Sequence, residues 1–166
     1  MIFTLWFIGD SIAYSQLESG SGPQRHLHIS LAVLFSVFLW WRIFWRLKSG
    51  HPKLDGQSTF DHWIANTAHY LMIIAIAVML VSGPTMVWTL GSAIDVFGWF
   101  QIPSPTGIQI PVYRVALSAH QFCAKVMLVV VLIHMCGAFN HLMFHNDDIF
   151  LRMLTPKKSP SKSRHK

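Results

Sequence analysis

Five histidines, His28, His69, His120, His134 and His141, fall within or at the edges of apolar runs, where an ionisable side chain is expensive and usually functional. His120 and His134 lie fourteen residues apart in one such run. On a helix that spacing amounts to ~21 Å of rise and about 40° of rotation, so both imidazoles fall on one stripe at two depths. Neutral imidazole is a good iron ligand, and two of them on one iron give a low-spin centre suited to electron transfer. One imidazole near each leaflet is what two stacked haems require. His28 stands at the mouth of another apolar run, where it can face His120 across a bundle, a common place for a cofactor. The plainer use of any one of these histidines is a hydrogen bond to a neighbouring helix or a place among the headgroups. Zinc or copper has less support, because no pair of Cys, His or carboxylate side chains converges at the deep positions. His141 and His145, near Asp147 and Asp148, form an i, i+4 pair that reads as interfacial polar residues rather than a metal group.

The elements that must position these histidines are long apolar helices. Of the 166 residues 52% are hydrophobic and 12% charged, against about 25% charged in soluble domains, so the surface faces lipid. The run 64–81 holds His69 as its one ionisable residue and reaches the length that spans a bilayer. Four blocks stand out, predicted as helices at about 1–17, 27–47, 63–88 and 112–144, separated by segments rich in Gly, Pro, Ser or charge. The expected fold is all-α, an integral membrane four-helix bundle in one domain over 1–154. The first block falls short of the ~20 residues a crossing needs, which suggests a first helix shortened at its N-terminus. The connection 89–111 mixes apolar and polar residues and is expected to lie along the membrane surface. Residues 155–166 read as a basic, disordered tail.

The formal net charge of +6 does not point to nucleic acid, because the basic residues sit beside apolar segments and in the tail rather than across one surface. Arg42, Arg46, Lys48 and Lys53 flank the second connection, and Arg152, Lys157, Lys158, Lys162, Arg164 and Lys166 follow the fourth block. With four crossings these two regions share a side. The excess of Lys and Arg makes that side the cytoplasm, with the C-terminus there. Arg25 and Arg114 then belong to the outer side.

Several stretches resemble the bacterial cytochrome b561 family. They are Leu27-His28-Ile29-Ser30 with Arg42 and Arg46 after it, Ala68-His69-Tyr70-Leu71, the loop Phe97-Gly98-Trp99-Phe100-Gln101-Ile102-Pro103, and His120, His134 and Asn140-His141 ahead of Asp147-Asp148-Ile149-Phe150-Leu151-Arg152-Met153-Leu154. The resemblance implies a four-helix, dihaem b cytochrome of the bacterial inner membrane that exchanges electrons with quinone. Some members oxidise superoxide at the outer face. Carried over position by position, it implies His28 and His120 as axial ligands of an outer haem b and His134 as a ligand of an inner one. The family's fourth ligand is a histidine early in the first helix, and no histidine here precedes His26. A start upstream of Met1, a single haem, or His69 as the substitute ligand would each account for this.

Haem propionates favour basic partners, and Arg25 and Arg114 are placed for the outer haem, Arg42 and Arg46 for the inner one. Arg42 and Arg46 serve equally as topological anchors. Lys125 reads as a snorkelling residue, or as an attractor of an anionic substrate such as superoxide. Trp40, Trp41, Trp45, Trp88 and Trp99 read as interface anchors. The expected partners are lipid, quinone, and superoxide or a periplasmic or cytoplasmic redox protein. Two other functions stay open: a cytochrome b anchor subunit of a larger dehydrogenase or hydrogenase, and a transporter that relays protons through its histidines without haem.

Overall fold

A computed structural model of the protein describes residues 2–15, 22–49 and 59–144, with side chains over 2–12, 22–49 and 63–139. Four helices follow one another: α1 (Ile2–Ser15), α2 (Gly22–Ser49), α3 (Thr59–Trp88) and α4 (Ile110–Phe144). Three are long and apolar enough to cross a membrane, over Gly22–Ser49, Trp63–Trp88 and Ile110–Phe139, while α1 carries a shorter apolar stretch, Ile2–Ile12. The mostly helical membrane fold expected from the sequence is present. The basic tail 155–166, His145, Asp147, Asp148 and the side chain of His141 lie outside what is described.

Prolines mark where the helices begin. Pro23 and Pro111 each occupy the first turn of their helix, where a missing N–H costs nothing because that donor has no intrahelical acceptor. For this reason α2 starts at Gly22, inside the segment expected to be a loop, and α4 starts two residues ahead of its apolar run. Pro84 instead lies inside α3, where it removes one backbone bond. The hydroxyls of its neighbours turn back onto the same helix: Thr85 Oγ1 donates to the Val81 carbonyl at 2.7 Å and Ser82 Oγ to that of Met79 at 3.5 Å.

The chain divides into two units, Met1–Val131 and Leu132–Lys166. In the first unit all four helices meet around Ile43, Ala75, Ile76 and Met127, with Ile2, Leu39 and Cys123 packed against them. Outward faces are apolar as well. Val37, Phe38, Ile74, Val115 and Phe122 are each more than half exposed, an arrangement that would promote association in water and suits lipid contact. The second unit holds the C-terminal part of α4.

The connection after α3 is not purely irregular. Two short strands, β1 (Ile94–Val96) and β2 (Phe100–Ile102), pair antiparallel with Val96 opposite Phe100. Phe97 and Gly98 both have positive φ, 52° and 72°, and the Trp99 N–H donates to the Val96 carbonyl at 2.9 Å. Two consecutive positive φ values define the turn whose twist matches that of paired strands. Ile94 and Val96 are buried with Val87, against Ile29 and Val33 of α2.

Candidate functional site

On α2, residues 26, 28 and 30 divide between two faces, because two steps along a helix turn the side chain by about 200°. His26 and Ser30 face the hairpin. His26 Nε2 lies 2.6 Å from Asp95 Oδ2, and the fully buried Ser30 hydroxyl accepts from the Phe97 N–H at 3.0 Å and donates to the Asp95 carbonyl at 3.3 Å. Both groups pin the turn to the helix. His28 points the other way, toward α1 and α4.

There it meets His120 of α4, the two ring centres 6.4 Å apart and the planes at 77°. Each imidazole is backed by a glycine of a third helix. An added Cβ on Gly9 of α1 would lie 3.3 Å from Cε1 and 3.6 Å from Nδ1 of His28, and one on Gly83 of α3 would lie 3.6 and 3.9 Å from the same atoms of His120. What meets Nδ1 differs between the two rings. Ser82 Oγ lies 3.0 Å from His120 Nδ1, with the Met79 carbonyl beside the same ring. His28 Nδ1 is buried without a hydrogen-bond partner among the described residues, with the Leu5 carbonyl beside the ring.

Two metal–imidazole bonds of about 2.0 Å, with roughly 1.2 Å from each ring centre to its nitrogen, span about 6.4 Å. The observed separation is long enough for one metal ion between the two rings, provided that a nitrogen of each points toward the other. Among the described residues no three His, Cys, Asp or Glu side chains converge. A porphyrin supplies four nitrogens itself and asks the protein only for axial ligands, so a pair of histidines fits haem.

Of the residues singled out in the sequence, the structure brings together His28 and His120. His69 is half-buried on α3, and His134 is half-buried on α4 within the second unit. Arg25, Arg42, Arg114 and Lys125 are exposed. Sequence reasoning missed Gly9, Gly83, Ser82 and the His26–Asp95 pair. Gly9 and Gly83 interrupt otherwise good helix formers, a signal that could have been weighed; nothing local marks Ser82 or Asp95. An apolar groove of about 500 Å³ runs beside the pair, between α3 and α4, lined by Val81, Ser82, Thr85, Val115, Ala116 and Ala119 among others.

Residues 1–156 match the family described as prokaryotic cytochrome b561. The chain is also similar to cytochrome b561 homolog 2 of Escherichia coli strain K12, 28% identical over 156 residues, which cover 93% of this chain and 81% of that protein. With the family matched over nearly the whole chain and two opposed imidazoles inside its membrane helices, the protein belongs to the prokaryotic cytochrome b561 family, multi-pass membrane cytochromes that bind haem b and transfer electrons.

Proposed function

We propose that His28 and His120 are the two axial ligands of one haem b and that the protein uses it to exchange electrons with quinone in the bacterial inner membrane, its C-terminus in the cytoplasm. The observation that carries the reading is the 6.4 Å separation of the two imidazoles, a spacing that would admit one iron, with Ser82 engaging Nδ1 of His120. When bound, the haem supplies a one-electron couple between ferric and ferrous iron. The chain's own residues orient the rings through Gly9, Gly83 and Ser82 and keep them among apolar side chains. The orientation follows from the basic residues flanking the second connection and in the tail.

His134 is proposed as an axial ligand of a second haem, on the family resemblance, with His69 the candidate for any ligand position that the first helix does not fill. Arg25 and Arg114 are proposed for the propionates of the outer haem, and Arg42 and Arg46 for the inner one. Quinone as partner is supported by the apolar groove beside Ser82, whose lining is almost wholly aliphatic. Superoxide is the proposed electron donor at the outer face, where the exposed Arg25, Arg114 and Lys125 would attract an anion.

A reduced-minus-oxidised absorption spectrum of the purified protein tests the haem reading, with an α-band expected in the wild type and diminished in His120→Ala. Stopped-flow reduction by a short-chain quinol, and separately by superoxide, tests the partners. A haem that forms but accepts electrons from neither would overturn the partner assignment and leave the cofactor standing.

A further inference from the structure

The two imidazoles are alike in their glycine backing and unlike in what meets Nδ1. Ser82 is 6% exposed, and its Oγ lies 3.0 Å from His120 Nδ1 and 3.5 Å from the Met79 carbonyl of its own helix. Two arrangements of protons share these distances. If Ser82 donates to Nδ1, the imidazole proton resides on Nε2 and closes that nitrogen to a metal. If Ser82 turns its proton toward the Met79 carbonyl, it accepts from Nδ1–H, and Nε2 keeps its lone pair. The second arrangement satisfies Ser82 as both donor and acceptor, and it fixes the tautomer and ring direction that an axial ligand needs.

We propose that Ser82 is a positioning residue for the haem iron: by accepting Nδ1–H of His120 it makes that imidazole the stronger electron donor of the pair and holds the midpoint potential of this haem down. The inference rests on the reading of His28 and His120 as axial ligands. His28 has no hydroxyl counterpart: its Nδ1 finds no hydrogen-bond partner among the described residues, and what lies beside the ring is the Leu5 carbonyl. Tuning thus enters through α3, at Ser82, whose hydroxyl receives the imidazole proton.

The experiment is a potentiometric titration of the full chain in detergent, with haem-to-protein ratio and electron paramagnetic resonance on the same samples, for wild type, Ser82→Ala, Ser82→Thr and His120→Ala. Ser82→Ala is expected to keep the haem and its low-spin signal while the potential rises, by up to about tenfold in the ferric–ferrous equilibrium, which is ~59 mV for one electron. Ser82→Thr restores a hydroxyl and is expected to return the potential toward the wild-type value. An unchanged potential in Ser82→Ala overturns the proposal and leaves Nδ1 to the Met79 carbonyl. So does an equal shift or an equal loss of haem in the Ala and Thr variants, which would mark a packing role. If His120→Ala leaves the same haem in place, the axial-ligand reading itself fails, a result distinct from any behaviour of the Ser82 variants.

Discussion

Gly9 of α1 and His28 of α2 stand so close that a Cβ on Gly9 would lie 3.3 Å from the imidazole Cε1, whereas the matching contact of Gly83 with His120 is 3.6 Å. The first distance requires a neighbour to give way; the second is ordinary contact. Gly9→Ala should therefore displace the His28 ring and lower haem retention severalfold. Gly83→Ala should keep its haem and gain up to about 1 kcal/mol from helix propensity. Haem-to-protein ratios and thermal unfolding in detergent measure both, and equal haem loss in the two variants would contradict the asymmetry.

The clamp on the hairpin is a separate matter from the histidine pair, because Ser30 and His28 occupy opposed faces of α2. Ser30→Ala leaves the Phe97 N–H and the Asp95 carbonyl without their partner, a loss of about 1–3 kcal/mol for buried groups. The variant should unfold at lower temperature and be cut faster by protease between α3 and α4. Its haem spectrum should match the wild type. A spectrum that changes as much as in His28→Ala would show that the hairpin and the ring are coupled after all.

Gly98 offers a test of backbone strain free of packing. It has φ of +72° and no atom within 4 Å of an added Cβ, while Gly107 has equally open surroundings and no positive φ. Gly98→Ala should destabilise by about 1–2 kcal/mol, with Gly107→Ala near neutral. Matched unfolding curves for the two variants would be the contrary result.

Filling the groove between α3 and α4 tests the quinone proposal. Ala119 lines it next to His120, and Ala119→Leu adds bulk without disfavouring the helix. The expected outcome is a raised KM for a long-tailed quinol with little change in haem content or in reduction by dithionite. An unaltered KM would direct the search for the quinone elsewhere.

Much of the architecture was legible because lipid imposes few choices: runs of about 20 apolar residues have to be helices, and the depth that pairs His28 with His120 follows from counting crossings. The start of α2 at Gly22 was not legible, since Gly-Ser-Gly-Pro reads as a loop while Pro23 is equally at home in a first turn. Strands β1 and β2 are three residues each, below the length at which alternation declares itself. The partners of His26 and Ser30 lie 69 and 67 residues away in sequence. No local pattern encodes such a contact. Ser82 was hidden for the same reason: a serine inside an apolar helix carries no sign of whether it bonds its own backbone or a neighbour's imidazole, and here its Oγ lies within reach of both.

If the rings 6.4 Å apart hold one iron between them, removing either leaves the other as a single ligand, so His28→Ala and His120→Ala should lose the same spectral component. Where a single mutant retains haem, the iron should turn high-spin unless another group takes the vacant position, and the double variant should lose little beyond either single one, because the two residues act on one iron. His134→Ala should leave that component intact. Low-temperature difference spectra resolve the components, and electron paramagnetic resonance reports the spin state. Loss of different components in His28→Ala and His120→Ala would show that the two imidazoles serve different irons in spite of their proximity, whereas disappearance of the same component in His134→Ala as well, in a protein that still unfolds cooperatively, would show that haem binding at the pair depends on His134.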